Sequence, residues 1–291
     1  MTKNSTQLIA AARIFARAAI LLSAICLTAH PAQAQEIDIG TAAQYAGFFF
    51  GNASNIPDIG GRLAVGGDVS LNGFSIAGGV ASSSTQPSLV VGGNVVALGG
   101  GSIGSSSSNN YGVYLGSKAP AVPTYLNLKK VTYSPVDFAA ERTYLTILSQ
   151  QLKARAATGT ISQQWNTVTA TGSNSDIEIF NLTAAQVVST LTLALVNVKS
   201  SATLIFNVAS NSQRQVQFGI TASVLQGRQG KVLYNLPDAD VLNFTNVGVL
   251  GSVLAPLACV TNSNGHLEGT IIAASWNSGM EIGNSPFQPT N

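Results

Sequence analysis

The sequence predicts a mainly-β fold, a β-solenoid (β-helix) with one long flanking α-helix. Three observations carry this. "RLAVGGDVSL" (62–71) returns as "SLVVGGNVVA" (88–97), its Gly-Gly-Asx core repeated after 26 residues. "GSVLA" (251–255) is echoed 18 residues later by "GTIIA" (269–273). Between these ends lies one amphipathic stretch amid short apolar runs bounded by Gly, Ser and Asn. Repeats of roughly 20 to 50 residues mark solenoids, in which each coil buries its face against its neighbours. The two unequal spacings suit coils whose loops vary in length while their strands stack in register.

The first 34 residues differ from the rest. Lys3, Arg13 and Arg17 precede the apolar run "AAILLSAICLTA" (18–29), and Ala32-Gln33-Ala34 offers a small-x-small cleavage site. That order is a secretory signal peptide over 1–34. Its apolar run is shorter than the roughly 18 residues of a membrane span. The mature chain is therefore expected to start at Gln35, with one domain over 35–291 and no integral membrane segment. Ile25 before Cys26 argues against lipoprotein processing, and the separation of Arg13 from Arg17 argues against a twin-arginine route. The expected destination is the extracellular medium or cell surface, with the periplasm as the alternative.

From Gly40 to Leu115, "RLAVGGDVSL", "GFSIAGGV", "SLVVGGNVVAL" and "YGVYLG" each read as a short strand between turn formers. A helix follows over about 135–157. Ser134 offers an N-cap, Pro135 the first helical position and Asp137 a capping-box acid. Phe138, Leu145, Leu148 and Leu152 share one face, Lys153 and Arg155 suit the C-terminal end of the dipole, and Gly159 marks the stop. This helix is expected to lie along the solenoid flank. More strands follow in "QQWNTVTATG", "DIEIFNLT", "TLTLALVNV", "ATLIFNVA", "QVQFGIT" and "KVLYNLP". "NFTNVGVLGSVLAPLACV" is nearly continuous apolar sequence, as in a strand buried on both faces, and Pro256 places a coil corner nearby.

Only 9% of residues are charged, against about 25% in ordinary domains, so Ser, Thr, Asn and Gln must supply most of the polar surface. A 45% hydrophobic content with little net charge excludes a disordered chain. Without Lys3, Arg13 and Arg17, the 14 basic residues no longer exceed the 12 acidic ones. Lys129-Lys130 is the one basic pair left, so nucleic-acid binding and polybasic membrane anchoring lack electrostatic support.

Gly66-Gly67-Asp68 superficially suggests a phosphate loop, but no Gly-Lys-Ser/Thr follows, and G-x-G-x-x-G opening a helix is absent. The better reading is a turn that needs positive φ, with the Asx side chain bonding its own backbone. Calcium at Asp68 and Asn94 would have too few oxygens. Past the signal, Cys259 is the one cysteine and His266 the one histidine. A thiol–imidazole dyad needs the two within hydrogen-bond reach, yet "VTNSNG" between them reads as a loop. Cys259 is expected to be a buried small hydrophobe, and the pair falls short of a zinc ligand set. Asp176/Glu178 and Asp238/Asp240 read as turn or solvated carboxylates rather than a glycosidase pair. Thr167, Thr169, Thr171, Thr190 and Thr192 are good strand formers, or alternatively a flat face for ice or polysaccharide. No catalytic residue, metal site or cofactor is expected.

Two long segments, "YAGFFFGNASNIPDIGGRLAVGGDVSLNGFSI" and "VLYNLPDADVLNFTNVGVLGSVLAPLACVTNSNGHLEGTIIAASW", together with "SLVVGGNV" and the closing "IGNSPFQ", resemble the choice-of-anchor A family. The carrying motifs are Gly61 to Asp68, Gly251 to Pro256, Gly269 to Ala273 and Pro286-Phe287. The resemblance implies an exported bacterial surface module, some relatives being collagen-binding adhesins, and supplies no catalytic residues. The closing "SPFQPTN" lacks an L-P-x-T-G sorting signal, so free secretion or non-covalent retention is expected. The fold is also similar in plan to β-solenoid ice-binding proteins. Two binding readings follow: adhesion to an extracellular polymer such as collagen, glycan or matrix, with Tyr111, Tyr114 and Trp276 as candidate contacts, or ice binding by the threonine face. A hydrolase centred on Cys259/His266 or an acidic pair is the third.

Overall fold

Short apolar strands separated by Gly and Asn corners cannot bury themselves singly. In the computed structural model, which describes residues 37–105 and 110–289, they stack as coils of a parallel ladder. The expected signal peptide over 1–34 lies outside the described residues. Asp38–Asn291 forms one unit.

Each coil contributes strands to as many as three faces. The first face runs, in spatial order, Leu128–Lys130, Gly112–Tyr114, Leu89–Val91, Leu63–Val65, Gly47–Phe49, then Ile271–Asn277, Ser252–Thr261, Val232–Asn235, Thr203–Ala209 and Ile177–Thr183. All of these neighbours pair in parallel. The chain order is the informative part. Coils wind outward from Gly47 to Lys130. The helix α1 (Phe138–Ala154) follows, and the remaining coils wind back from Ile177 until Ile271 pairs with Gly47. The seam between the earliest and latest strands therefore lies inside the stack.

The second face carries Val95–Leu98, Val69–Leu71, Ala53–Ser54, the later halves of Ile271–Asn277 and Ser252–Thr261, then Val241–Phe244 and Gln215–Phe218. The third carries Gly101–Ile103, Phe74–Ile76, Asp58–Ile59, Glu281–Ile282, Gly265–Glu268 and Val247–Leu250. A separate three-stranded sheet pairs Thr160–Gln164 antiparallel with Thr167–Thr171, which runs parallel to Thr192–Val196.

Side chains alternate across each strand. Leu63, Val65, Leu89, Val91, Phe49 and Val253 point into the solenoid core. Phe180, Phe206 and Tyr234 stack there at 5.4 Å per step. The alternate residues Phe48, Ala64, Val90, Leu233, Leu254 and Ile272 point outward on the first face yet are also buried. Helix α1 explains this, because its Leu145, Leu148 and Leu152 are buried and it packs on the strands at 203–209, 232–235 and 252–261. The long apolar segment around Ser252–Ala255 is thus buried on both sides.

The helix is shorter than the 135–157 expected. Asp137 caps it, its carboxylate accepting from the Ala140 N–H at 3.0 Å. Ser134 instead accepts from the Val136 N–H in a turn before the helix. Gly159 is no helix stop: a Cβ there would lie 2.4 Å from the Phe180 ring and from the Thr171 carbonyl. Pro256 sits within a continuous strand, at the point where pairing slips between Ala255 and Cys259. That slip is the corner between the first and second faces.

Candidate functional site

The Gly-Gly-Asx repeats lie at the same corner, one coil above another. The Asp68 N–H donates to Asn52 Oδ1 at 2.9 Å, the Asn94 N–H to Asp68 Oδ1 at 2.7 Å, and the Lys118 N–H to Asn94 Oδ1 at 3.1 Å. Each Asx side chain thus serves the next coil, not its own backbone as expected. Nor is positive φ the reason for the glycines, since Gly66, Gly67, Gly92 and Gly93 do not adopt it. They are needed because coils approach too closely for a side chain. A Cβ on Gly67 would meet Asn52 Oδ1 at 2.3 Å, and one on Gly93 would meet the Gly67 backbone at 2.6 Å. The motif is structural: it lets successive coils stack closely at this corner.

On that face the outward residues form rows along the stack. One row is Gln217, Asn243, Thr261, Asn277 and Ser54, aligned by register across five coils. Neighbours in it bond laterally: the Thr261 hydroxyl donates to Asn243 at 2.9 Å and the Ser54 hydroxyl to Asn277 at 3.1 Å. A second row holds Gln215, Val241, Cys259 and Ser275. Neither row contains an ionised side chain. Ion pairs lie elsewhere, Lys153 of the helix pairing with Asp238, Lys199 with Asp176 and Arg214 with Asp240. The Arg214 hydrogen bond holds Asp240 below the ordinary carboxylate range.

The threonines align only in part. Thr167 faces Thr192, and Thr192 bridges to Thr221, but Thr169 and Thr171 face Ala194 and Val196. The third face presents His266, with Nε2 at 2.8 Å from Glu268 and Nδ1 at 3.6 Å from Glu281. Glu178 is buried and accepts from the Ser173 and Ser175 N–H groups and the Thr158 hydroxyl, which makes it a structural brace.

The candidate contacts fare unequally. Trp276 is only 1% exposed, stacked 5.1 Å from Phe49, with its indole N–H donated to the Ser278 carbonyl. It is a core residue, because the inward parity of its strand position points it at the axis. Tyr111 is half-buried with the Lys129 ammonium over its ring at 5.6 Å, and Tyr114 is half-buried against the core. Cys259, expected inside, is exposed, since its parity on the second face is outward. It stands on the second face while His266 stands on the third, so no dyad is assembled. The most exposed aromatic missed from sequence is Trp165, 87% exposed at the tip of the hairpin joining 160–164 to 167–171, with φ +55°; Tyr125, Tyr133 and Tyr144 are exposed as well. The signal was the polar "QQWN" between two strand patterns. Among the described residues, no three His, Cys, Asp or Glu side chains gather as for a metal ion, and no helix is long and apolar enough to cross a membrane.

A parallel solenoid buttressed by one helix, with two uncharged rows on one face, defines the class of protein as a helix-flanked β-solenoid. More particularly, the chain belongs to the family described as "Putative Ice-binding-like adhesive domain", whose model matches residues 38–284. Among solved structures, it is similar to the ice-binding protein of the Antarctic ascomycete Antarctomyces psychrotrophicus at 11% identity and TM-score 0.38, over 87% of this chain and 98% of that one. It is also similar to the DUF3494 domain of Shewanella frigidimarina ice-binding protein_1 at 14% identity and TM-score 0.33, over 84% and 95% of the respective chains. No curated protein matches it.

Proposed function

We propose that this chain is an exported, non-catalytic adhesive module that binds an extracellular polymer through its second face. The observation that carries the reading is the row from Gln217 to Ser54. It offers uncharged hydrogen-bonding groups at about 4.8 Å intervals, suited to a polymer with repeated hydroxyl or amide groups such as collagen, glycan or matrix. Family membership supports a binding role. The motif order supports a choice-of-anchor A-like module, with cleavage before Gln35, a mature domain over 35–291 and release to the surface or medium. Tyr111 and Tyr114 are kept as secondary contacts.

The test is binding of protein 35–291 to immobilised collagens and neutral glycans, beside the double variant Gln217→Lys/Asn277→Lys. Saturable binding weakened at least about tenfold, or 1.4 kcal/mol, with an unchanged Tm is expected. Binding that is absent throughout, or indifferent to the lysines, overturns the reading. The Thr167–Thr192–Thr221 row favours ice as the second reading. Inhibition of ice recrystallisation that Thr192→Lys abolishes would replace the first reading with it.

A further inference from the structure

A cavity of about 230 Å³ opens where the third face turns into the first, lined by Gln44, Tyr45, Arg62, Gly269, Asn284 and Pro286 among others. Arg62 reaches this corner because its backbone carbonyl is fixed, accepting from the N–H groups of Ala46 and Gly47. Its Nε is buried and has no hydrogen-bond partner, and no carboxylate among the described residues pairs with its guanidinium. A buried N–H donor without an acceptor is costly, although the residue as a whole is only half-buried. The apolar stem can fill a corner, but filling a corner gives no reason for a planar fork of five donors there.

The wall holds no second charge: beside Arg62 stand the neutral polar Gln44, Tyr45 and Asn284, with Val80 and Pro286 among the apolar groups. Gln44 accepts from Gln86 through Oε1, which leaves its own amide N–H groups to donate. Burial pushes the Tyr45 hydroxyl up to about 12, so it stays protonated at neutral pH. The cavity is smaller than the roughly 300–1,000 Å³ of drug-sized sites, which suits one residue of a chain rather than a large cofactor.

We propose that this cavity binds the carboxylate of a uronic-acid residue of an acidic glycan, with Arg62 pairing the carboxylate and Gln44 and Asn284 reading ring hydroxyls. A sugar is favoured over an acidic peptide because Gln44, Tyr45 and Asn284 place amide and phenol groups beside Arg62. The site lies at a different corner from the second face, so either assignment can fail alone.

The experiment is titration of protein 35–291 with sodium glucuronate and a tri-galacturonate, with glucose and a glutamate tripeptide as comparison probes. Amide shifts are followed at Gln44, Tyr45 and Asn284, together with the Arg62 Nε–H resonance. Saturable uronate shifts at these four positions, with glucose silent, are expected. Arg62→Lys should weaken uronate binding at least about tenfold, because it keeps charge but loses the fork, while Gln217→Lys/Asn277→Lys leaves it unchanged. If Arg62→Lys fails to fold, the Nε–H shift in the unaltered protein still decides. Absence of uronate shifts, equal shifts with glucose, or Arg62-dependent binding of the glutamate tripeptide alone would overturn the proposal.

Discussion

At the scale of single residues, the corner ladder shows how two atoms decide a side-chain identity. Gly67 and Gly73 both read as turn glycines, yet for different reasons. A Cβ on Gly67 collides with the coil below at 2.3 Å, whereas Gly73 has open space around it but φ of +62°. Gly67→Ala should therefore cost about 1–3 kcal/mol as overpacking, and Gly73→Ala about 1 kcal/mol as backbone strain. Gly100→Ala, with neither constraint, should leave thermal denaturation followed by circular dichroism unchanged. Asp68 offers a cleaner contrast, since Oδ1 accepts from both the N–H and the side-chain amide of Asn94. Asp68→Asn keeps an acceptor and should be nearly neutral. Asp68→Ala should lose about 1 kcal/mol, and equal melting of the two variants would show that the ladder is decorative.

At the scale of elements, the helix is held by more than its leucines. Asn181, Asn207 and Asn235 occupy one register position on successive strands. Asn235 donates to Asn207 at 2.8 Å and Asn207 to Asn181 at 3.2 Å. Their amides also reach the Leu152 and Ser149 carbonyls of the helix at 3.0 and 2.9 Å. This ladder satisfies polar groups that burial would otherwise strand. Asn235→Ala leaves the Ser149 hydroxyl and carbonyl and Asn207 Oδ1 without it, so a loss of about 2–5 kcal/mol is expected. Leu148→Ala should cost a similar 2–5 kcal/mol through its cavity. Hydrogen exchange separates the two: the Asn235 variant should expose first-face strand amides as well as helix amides. The dipeptides Phe180-Asn181, Phe206-Asn207 and Tyr234-Asn235 encode both the aromatic stack and this clamp, a repeat that reading the segments only as strands passes over.

At the scale of the whole molecule, the earliest and latest first-face strands meet inside the stack, because Gly47 pairs with Leu63 on one side and Ile271 on the other. Buried tyrosines make its stability sensitive to alkali. Burial pushes Tyr45 up to about 12 and raises Tyr234 as well, against roughly 10 in an unfolded chain. Between these values the folded state holds protons that the unfolded state has released. Stability is thus complete below pH 10 and declines as pH rises toward 12, by about 2 kcal/mol from Tyr45 alone. Urea midpoints should fall between pH 8 and pH 11.5, and Tyr45→Phe should flatten the decline. An unchanged slope in that variant would assign the alkaline loss elsewhere.

The sequence by itself determined the solenoid class, the corners, the single helix and the scarcity of charge, because periodicity, turn chemistry and composition are local properties. It placed the helix within three residues at each end, but Asp137 and not Ser134 closes the first turn, and the helix stops at Ala154, before Gly159. Tertiary structure alone decided which side of each strand faces water. Parity one residue either way sends Trp276 to the core and Cys259 to the surface, and the corner slip between Ala255 and Cys259 resets that parity beyond what alternation can track. It also decided the coil order: the seam joining Gly47 to Ile271 brings residues more than two hundred positions apart into one face and one corner. The row from Gln217 to Ser54 and the cavity around Arg62 exist only because of that long-range closure, which no local pattern encodes.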